Sequence, residues 1–348
     1  MPAISCDVPW PGLLLDQEAV AAARALAARP PSCLRVVTWN VWFDAVCAAE
    51  RQAALLREVL SAAPDVACLQ EVVPAFAEAV RSCEALAAVY RASPQAIDGM
   101  GPEKAIEFKA NLCILTADGF MQYLKDTHVK ERSIPGLSDY GCLLLVRHDL
   151  EPTFGARPLP SRMGRALLWV RCGGRCPGLV VATTHLESLS SAPWRRQQLE
   201  EASRCLREYE GAVLCGDFNF DDEKTWGDWR RPEPALGPGE LENCVLGELL
   251  PDFADTWREV HPEDRGYTFD GEENPVCCRD RGERMRYDRL LARRGPGGWV
   301  PLAAELLGRG AIDSSGMRPS DHYGLLVDLG RDDGCADGTP LVVGPPRQ

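Results

Sequence analysis

Asn40, Glu71, His185, Asp217, Asn219 and the Asp321-His322 pair each stand at the edge of a short apolar run. In α/β folds the ends of such runs open into the crevice where ligands bind. A single polar residue there is usually a cap or a turn former, and Asp217 by itself reads as a turn residue. Recurrence at run after run is not explained that way, and the residue types converge on one chemistry. Glu71, Asp217 and Asp321 are hard oxygen donors suited to Mg2+, which keeps most of its waters and needs only one or two protein carboxylates. Asn40 and Asn219 can hydrogen-bond a phosphate, a water or a carboxylate without adding charge. His185 and His322 can place N–H donors on oxygens that gain negative charge as phosphorus is attacked. Asp288, in Tyr287-Asp288-Arg289, can hold His322 in one tautomer and favour its protonated form. No Gly-rich run leads into Lys-Ser or Lys-Thr, and no Gly-x-Ser-x-Gly elbow occurs, so neither a Walker loop nor a serine-hydrolase nucleophile is indicated. Metal-assisted hydrolysis fits best.

The elements that must position these residues can be read from periodicity. Residues 34–38 form a β-type run ending at Trp39-Asn40, and 66–69 a short buried strand ending at Gln70-Glu71. Helical spacing is predicted over 48–61 and 75–88. Strands are predicted over 141–146, 166–170 and 179–183, then a charged helix over 194–209 and a strand over 212–215 that ends at Gly216-Asp217. Two further strands are expected at 287–291 and 323–329. Strands alternating with helices, with consecutive strands in the middle, predict an α/β fold of mixed sheets covered by helices. A short N-terminal helix is expected over 13–28, stopped by Pro30-Pro31. The less regular stretch 96–137 reads as a peripheral insertion, and 331–348 as a polar tail.

With 348 residues, 45% hydrophobic and 26% charged, the chain has ordinary globular values, which excludes a disordered or fibrous protein. No apolar run approaches the ~20 residues that span a bilayer. The opening Met-Pro-Ala-Ile-Ser-Cys-Asp has no basic stretch before an apolar one, so no secretory signal is expected. The net charge of −13 argues against coating long nucleic acid, yet allows a local basic pocket for a nucleic-acid end. The 15 cysteines are scattered, many inside apolar runs, as expected of small buried hydrophobes in a reducing compartment. Cys172 and Cys176 have the spacing of a zinc half-site, but no nearby His or second pair completes it.

Thr38-Trp39-Asn40-Val41, Leu69-Gln70-Glu71-Val72, Thr184-His185-Leu186-Glu187-Ser188, Gly216-Asp217-Phe218-Asn219 and Ser320-Asp321-His322-Tyr323-Gly324 resemble, in order and spacing, the motifs of the endonuclease/exonuclease/phosphatase superfamily. The resemblance covers roughly residues 34–330. Within that superfamily the chain is most similar to the 5′-tyrosyl-DNA phosphodiesterase family, through His185-Leu186-Glu187-Ser188, Ser161-Arg162-Met163-Gly164-Arg165, Asp255-Thr256-Trp257, Tyr267-Thr268-Phe269-Asp270 and Arg286-Tyr287-Asp288-Arg289.

The resemblance implies a four-layered α/β sandwich, two facing mixed sheets flanked by helices, and a Mg2+-dependent phosphodiesterase for which Mn2+ can substitute. Its implied substrate is a 5′ DNA end carrying a tyrosyl or peptide adduct. Glu71 would bind the metal, with Asn40 beside it and Asp321 supporting it. Asp217 would orient and deprotonate the attacking water, with Asn219 fixing water and phosphate. His322, braced by Asp288, would stabilise the pentavalent phosphorus. His185 and Ser188 would contact the DNA phosphates, and Trp257 would either wall the DNA groove or serve as a core residue. A monomer in the nucleus or cytoplasm is expected, with no membrane role. Nor is there room before residue 34 for the ubiquitin-binding domain of vertebrate members. Ser190 and Asp221 stand where those members carry Arg, which leaves Arg195, Arg196 or Lys224 as cations that could compensate. The alternatives within the fold are an abasic-site endonuclease, an RNA or poly(A) nuclease and a small-phosphoester phosphatase; a non-catalytic scaffold is the alternative outside enzymes.

Overall fold

The computed structural model describes residues 30–94, 140–227, 241–277 and 282–331. The expected N-terminal helix, the insertion near 96–137 and the tail beyond Arg331 lie outside the described residues. Strand β1 (Cys33–Asn40) leads to helix α1 (Ala48–Ala62) and strand β2 (Val66–Val72). α1 buries Leu55, Leu56, Val59 and Leu60, a spacing that lines one face of a 3.6-residue helix. It stops at Ala63, whose left-handed backbone returns its N–H to the carbonyls of Val59 and Leu60 ahead of Pro64. Helices α2 (Pro74–Ser82) and α3 (Glu84–Ala87) replace the single helix predicted over 75–88, because Cys83 between them is extended. The short strand β3 (Tyr90–Ala92) and β4 (Gly141–Arg147) complete this half together with β13 (Trp299–Leu307) and β14 (Gly324–Arg331).

The second half holds β5 (Thr153–Pro158), β6 (Ala166–Arg171), β7 (Leu179–His185), helix α4 (Ala192–Leu206), β8 (Gly211–Asp217), α5 (Cys244–Leu249), β9 (Phe253–Asp255), α6 (Thr256–Val260) and β12 (Asp288–Arg293). A two-stranded hairpin, β10 (Phe269–Asp270) with β11 (Arg284–Met285), stands apart. The strand orders are β13-β14-β1-β2-β4-β3 and β5-β6-β7-β8-β12-β9. Each sheet has a single parallel pair near its centre, β1 with β2 and β7 with β8, and every other pairing is antiparallel. β3, β5, β9, β13 and the β10–β11 pair are strands that the sequence did not announce.

The two sheets face each other across an apolar layer that includes Val36, Cys68, Leu144, Val181, Val213, Cys215, Leu290 and Val327. On their outer faces α1 and α2 cover the first sheet through Leu55, Val59, Phe76 and Val80, while α4 and α5 cover the second through Leu199, Leu206 and Val245. This is the expected α/β sandwich of four layers. Cys172 and Cys176 are buried at the rim of the core, and among the described residues no further His or Cys joins them in a metal group. No helix among the described residues is long and apolar enough to cross a membrane.

Candidate active site

Both parallel pairs terminate at the same end of the sandwich. β1 and β2 deliver Asn40 and, one residue past Gln70, Glu71; β7 and β8 end side by side at His185 and Asp217, which are partners in the register. Parallel strands need this convergence, since both N→C directions agree and both crossovers leave from the same edge. Just before Asp217, Gly216 (φ 134°) lies so close to β7 that a Cβ would run into the Thr184 carbonyl. A side chain at 216 would push Asp217 away from His185.

Asn40 joins the sheets: its Nδ2 donates to Asp217 Oδ2 at 3.0 Å, and its Oδ1 accepts the Trp42 N–H at 3.0 Å. Glu71 Oε2 accepts the Phe43 N–H at 3.0 Å. Trp42, Glu71 and Asn219 all hold left-handed backbones, with φ of 58°, 59° and 57°. Non-glycine residues adopt that region only when the surroundings impose it, commonly at functional sites. Burial, and secondarily the Asp321 carboxylate beside it, pushes Glu71 up to about 7; the Phe43 N–H, His322 and Asn40 oppose this without prevailing. Burial likewise brings Asp217 up to about 6 against the pull of His322. Asp217 Oδ1 accepts the Asn219 N–H at 2.9 Å, and Asn219 Nδ2 donates to the Leu186 carbonyl at 3.0 Å. One amide hydrogen of Asn219 is therefore committed to the backbone.

A second cross-sheet pair is His322 with Asp288, Nδ1 to Oδ2 at 2.7 Å, both buried. Burial alone would lower the imidazole's pKa, but the Asp288 carboxylate overcomes it and His322 ends well above its ordinary value. The pair is clamped from several sides. Thr268 Oγ1 accepts the Asp288 N–H at 2.9 Å, and the Phe269 ring meets the imidazole edge-on with centroids 5.2 Å apart. Ser320 Oγ accepts the His322 N–H at 3.1 Å and donates to the Asn40 carbonyl at 2.7 Å, and Trp39 Nε1 donates to the His322 carbonyl at 2.9 Å.

His185 differs in kind. Burial, then the neighbouring Arg165 and His322, hold its pKa well below the usual value, so the ring is neutral. Its Nε2 lies 3.3 Å from Asp217 Oδ2 and its Nδ1 3.0 Å from Arg165 Nη1. Arg165 Nη2 also lies 3.2 Å from Nε2, so the guanidinium spans both ring nitrogens while Nε2 faces the Asp217 carboxylate. Arg165 also donates to Ser188 Oγ at 2.9 Å and to Tyr140 Oη at 3.2 Å, and Tyr140 stacks on Phe43 with centroids 5.2 Å apart. A buried guanidinium thus fixes His185 and Ser188 together.

The structure brings Asn40, Glu71, His185, Ser188, Asp217, Asn219, Asp288, Asp321 and His322 to this one end of the sandwich. Trp257 is not among them, and the groove-wall reading is corrected: its side chain is in the core between the sheets with Leu290 and Trp299, 4% exposed, and its Nε1 donates to the Asp264 carbonyl at 3.0 Å. Arg165, Tyr140, Thr268 and Ser320 were given no role from sequence. Arg165, Thr268 and Ser320 lie in motifs visible in the sequence and Tyr140 in none, and the contacts of all four reach other segments of chain.

Two sets of donors here could take a cation. One ligand atom each from Asp217, Asp288 and His322 lie within 4.8 Å of one another. His322, however, is held protonated by Asp288, and a protonated nitrogen is not a ligand. Burial leaves the ionisation of Glu71 costly, with Asp321 adding like charge. A hard divalent ion suits that oxygen set, and relieving two adjacent carboxylates is what such an ion does.

The Endonuclease/Exonuclease/phosphatase family model matches residues 37–322. Tyrosyl-DNA phosphodiesterase 2 of Xenopus laevis is 25% identical over 304 residues, 84% of this chain and 65% of that protein, so the chain spans slightly less than two thirds of its length. The Rattus norvegicus protein of the same name is 28% identical over 183 residues, 49% of this chain and 43% of that one. Among solved structures, D. rerio TDP2 complexed with single strand DNA product superposes with a TM-score of 0.61 at 22% identity, covering 86% of this chain and 99% of that one. The human Nocturnin catalytic domain gives 0.53 at 16% identity, covering 88% and 96%. These structures share the fold, and the curated relatives share the resemblance read from the motifs. The match across residues 37–322 takes in both parallel strand pairs and the loop carrying His322, and on that ground the chain belongs to the endonuclease/exonuclease/phosphatase family.

Proposed function

We propose that this chain is a Mg2+-dependent phosphodiesterase that hydrolyses the 5′-phosphotyrosyl bond between a DNA end and a trapped protein remnant. The observation that carries the reading is the meeting of a raised carboxylate, Asp217, with a protonated imidazole, His322, whose Nε2 is 4.0 Å from Asp217 Oδ2. A base raised to about 6 is matched to proton abstraction near neutrality. Asp217 is the base that takes the proton from water as its oxygen attacks phosphorus, held in line by Asn40 and Asn219. His322, charged and braced by Asp288, donates toward the oxygens that gain charge. The P–O bond to tyrosine then breaks, and the phenolate leaves and takes a proton from solvent. A phenol with pKa near 10 departs without a strong general acid, which suits a site whose other histidine is neutral. Glu71, with Asn40 and Asp321 beside it, would hold Mg2+ or Mn2+, which would supply further positive charge to the phosphate.

His185 and Ser188, fixed by Arg165, are the contacts for the DNA phosphate. The relatives named tyrosyl-DNA phosphodiesterase 2 and the DNA-product complex of the D. rerio protein support this substrate class. The protein acts as a monomer in this reading, and DNA ends as substrate support residence in the nucleus, with the cytoplasm as the other reducing compartment. The test is release of tyrosine from a 5′-phosphotyrosyl oligonucleotide with and without Mg2+, beside an abasic-site duplex and an inositol phosphate. Metal-dependent release that disappears in Glu71→Ala supports the reading. Turnover of another phosphoester alone would keep the mechanism and replace the substrate. Silence on all three would favour a binding scaffold.

A further inference from the structure

A chain of net charge −13 needs local cations to hold a polyanionic strand, and most of those near the site are already engaged. Arg195 is buried in a two-nitrogen pairing with Glu242 at 2.6 and 2.7 Å. Arg196 pairs with Glu248 at 2.7 Å, and Lys224 donates to Tyr267 Oη at 3.0 Å and to the Arg284 carbonyl at 2.7 Å. Asp221 is 2% exposed and accepts the Arg286 and Glu223 N–H groups, so it is a turn brace and not a phosphate contact. Each of the three cations that sequence offered as compensation thus has partners of its own, Arg196 in an exposed pair.

Arg162 is placed differently. Its side chain is exposed, and no carboxylate pairs with it among the described residues. Its guanidinium lies over the indole of Trp194, on the first turn of α4, with Cζ 5.0 Å from the ring centroid. Its backbone N–H donates to Glu187 Oε1 at 2.9 Å, and Glu187 Oε2 accepts from Ser161 Oγ at 2.5 Å and from Gln198 Nε2 at 3.0 Å. Glu187 directly precedes Ser188, whose hydroxyl is held by Arg165. Arg162 is thus anchored one residue from the proposed phosphate contact, its flat face on an aromatic ring and its N–H edge available. A stacked guanidinium loses little further freedom when that edge takes a phosphate. A cation beside an aromatic platform is also how sequence-independent single-strand grooves are built.

We propose that Arg162 on Trp194 is a subsite for a backbone phosphate of the nucleic-acid strand leading away from the reacting phosphorus. This rests on the nucleic-acid-end reading above, and its test can be separated from that reading. Binding of a 5′-phosphorylated single-stranded oligonucleotide is followed by fluorescence anisotropy over a range of NaCl concentrations. Arg162→Ala should weaken binding about fivefold at low salt and reduce the log–log salt slope by about 0.7, the value for one single-strand phosphate. Arg162→Lys should keep the slope while binding more weakly than the wild type, because the stacked fork is lost. Trp194→Ala should fall between the two, with thermal melting of each variant reporting its fold. Unchanged affinity and slope in a folded Arg162→Ala protein would overturn the subsite, as would weaker binding with an unchanged slope. No oligonucleotide binding by the wild type would overturn it too. Arg162-dependent binding by a wild-type protein that releases no tyrosine would leave the subsite standing and remove the tyrosyl reading.

Discussion

The guanidinium of Arg51 donates to the carbonyl of Pro319, 268 residues further along the chain, at 3.1 Å. The same side chain, fully buried in α1, reaches the carbonyls of Val41, Trp42, Asp44 and Val46 and lies 4.2 Å from the Trp42 ring centroid. It therefore ties the loop that presents the Phe43 N–H to Glu71 to the loop that carries Ser320, Asp321 and His322. Arg51→Ala would leave these carbonyls without their donor, and urea unfolding should register a loss of about 3–5 kcal/mol. Arg51→Lys should recover part of the stability but raise the Mg2+ concentration needed for half-maximal turnover, since one ammonium cannot span both loops.

Glu71 is expected to be needed for turnover and dispensable for folding. Glu71→Gln should reduce activity about a hundredfold or more while its melting temperature in metal-free buffer does not fall. The sign follows from the raised carboxyl. Between the ordinary 4.5 and about 7, ionisation of Glu71 costs the metal-free protein stability, so the wild type should weaken as pH rises through that window and Glu71→Gln should not. For the same reason Mg2+ affinity, measured by calorimetry, should climb with pH up to about 7 and then level off.

Asp288→Asn should act through its partner. Without the carboxylate, burial is opposed only by the Asp321 and Asp217 charges, and the imidazole gives up its proton at lower pH. Turnover should drop by about two to three orders of magnitude, and the alkaline limb of the pH–rate profile should move toward neutrality. A variant with the wild-type pH profile would mean that Asp288 does not set the charge on His322.

Away from the site, the partly buried Asp255 lies between Arg286 and Arg289 and also caps α6. Burial works against its ionisation, but the two guanidinium groups prevail and bring its pKa from 3.8 down to about 2. Its contribution to stability is present above pH 3.8 and is lost as pH falls toward 2, which by linkage corresponds to about 2 kcal/mol. Asp255→Ala should cost more, about 3–5 kcal/mol, because buried Arg289 loses its carboxylate partner and buried Arg286 keeps only Asp222. Acid titrations of the wild type and Asp255→Asn by circular dichroism should differ within that window.

Much of this architecture is legible in the sequence where burial is two-sided. β1, β2, β7 and β8 are short apolar runs because both faces are covered, and the polar residue that ends each run stands out against them. β5 lacks that signal, since most of its residues face solvent, and β13 carries Pro301 with a register shift beside it. The helix predicted over 75–88 is broken by the backbone of Cys83, which hydrophobic spacing does not report. Trp257 shows the same limit for side chains, because an aromatic residue suits a groove or a core equally and only its neighbours decide. Arg51, Arg165 and Ser320 acquire their parts through contacts with distant segments, and nothing within their own stretches of chain points to those partners.

Both hydrogen-bonded pairs of the site, Asn40 with Asp217 and His322 with Asp288, take one member from each sheet or its adjoining loop. Neither sheet by itself holds a complete pair, so hydrolytic competence arises only when the two dock. The order of the strands delays this further, because β14, among the last of the described strands, is inserted between β13 and β1, the first. During synthesis the chain must therefore emerge at least to Arg331 before β1 gains its outer neighbour and His322 meets Asp288. If the chain acts as proposed, a nascent or half-unfolded molecule should be inert toward phosphodiesters, with the ability to cut them acquired last.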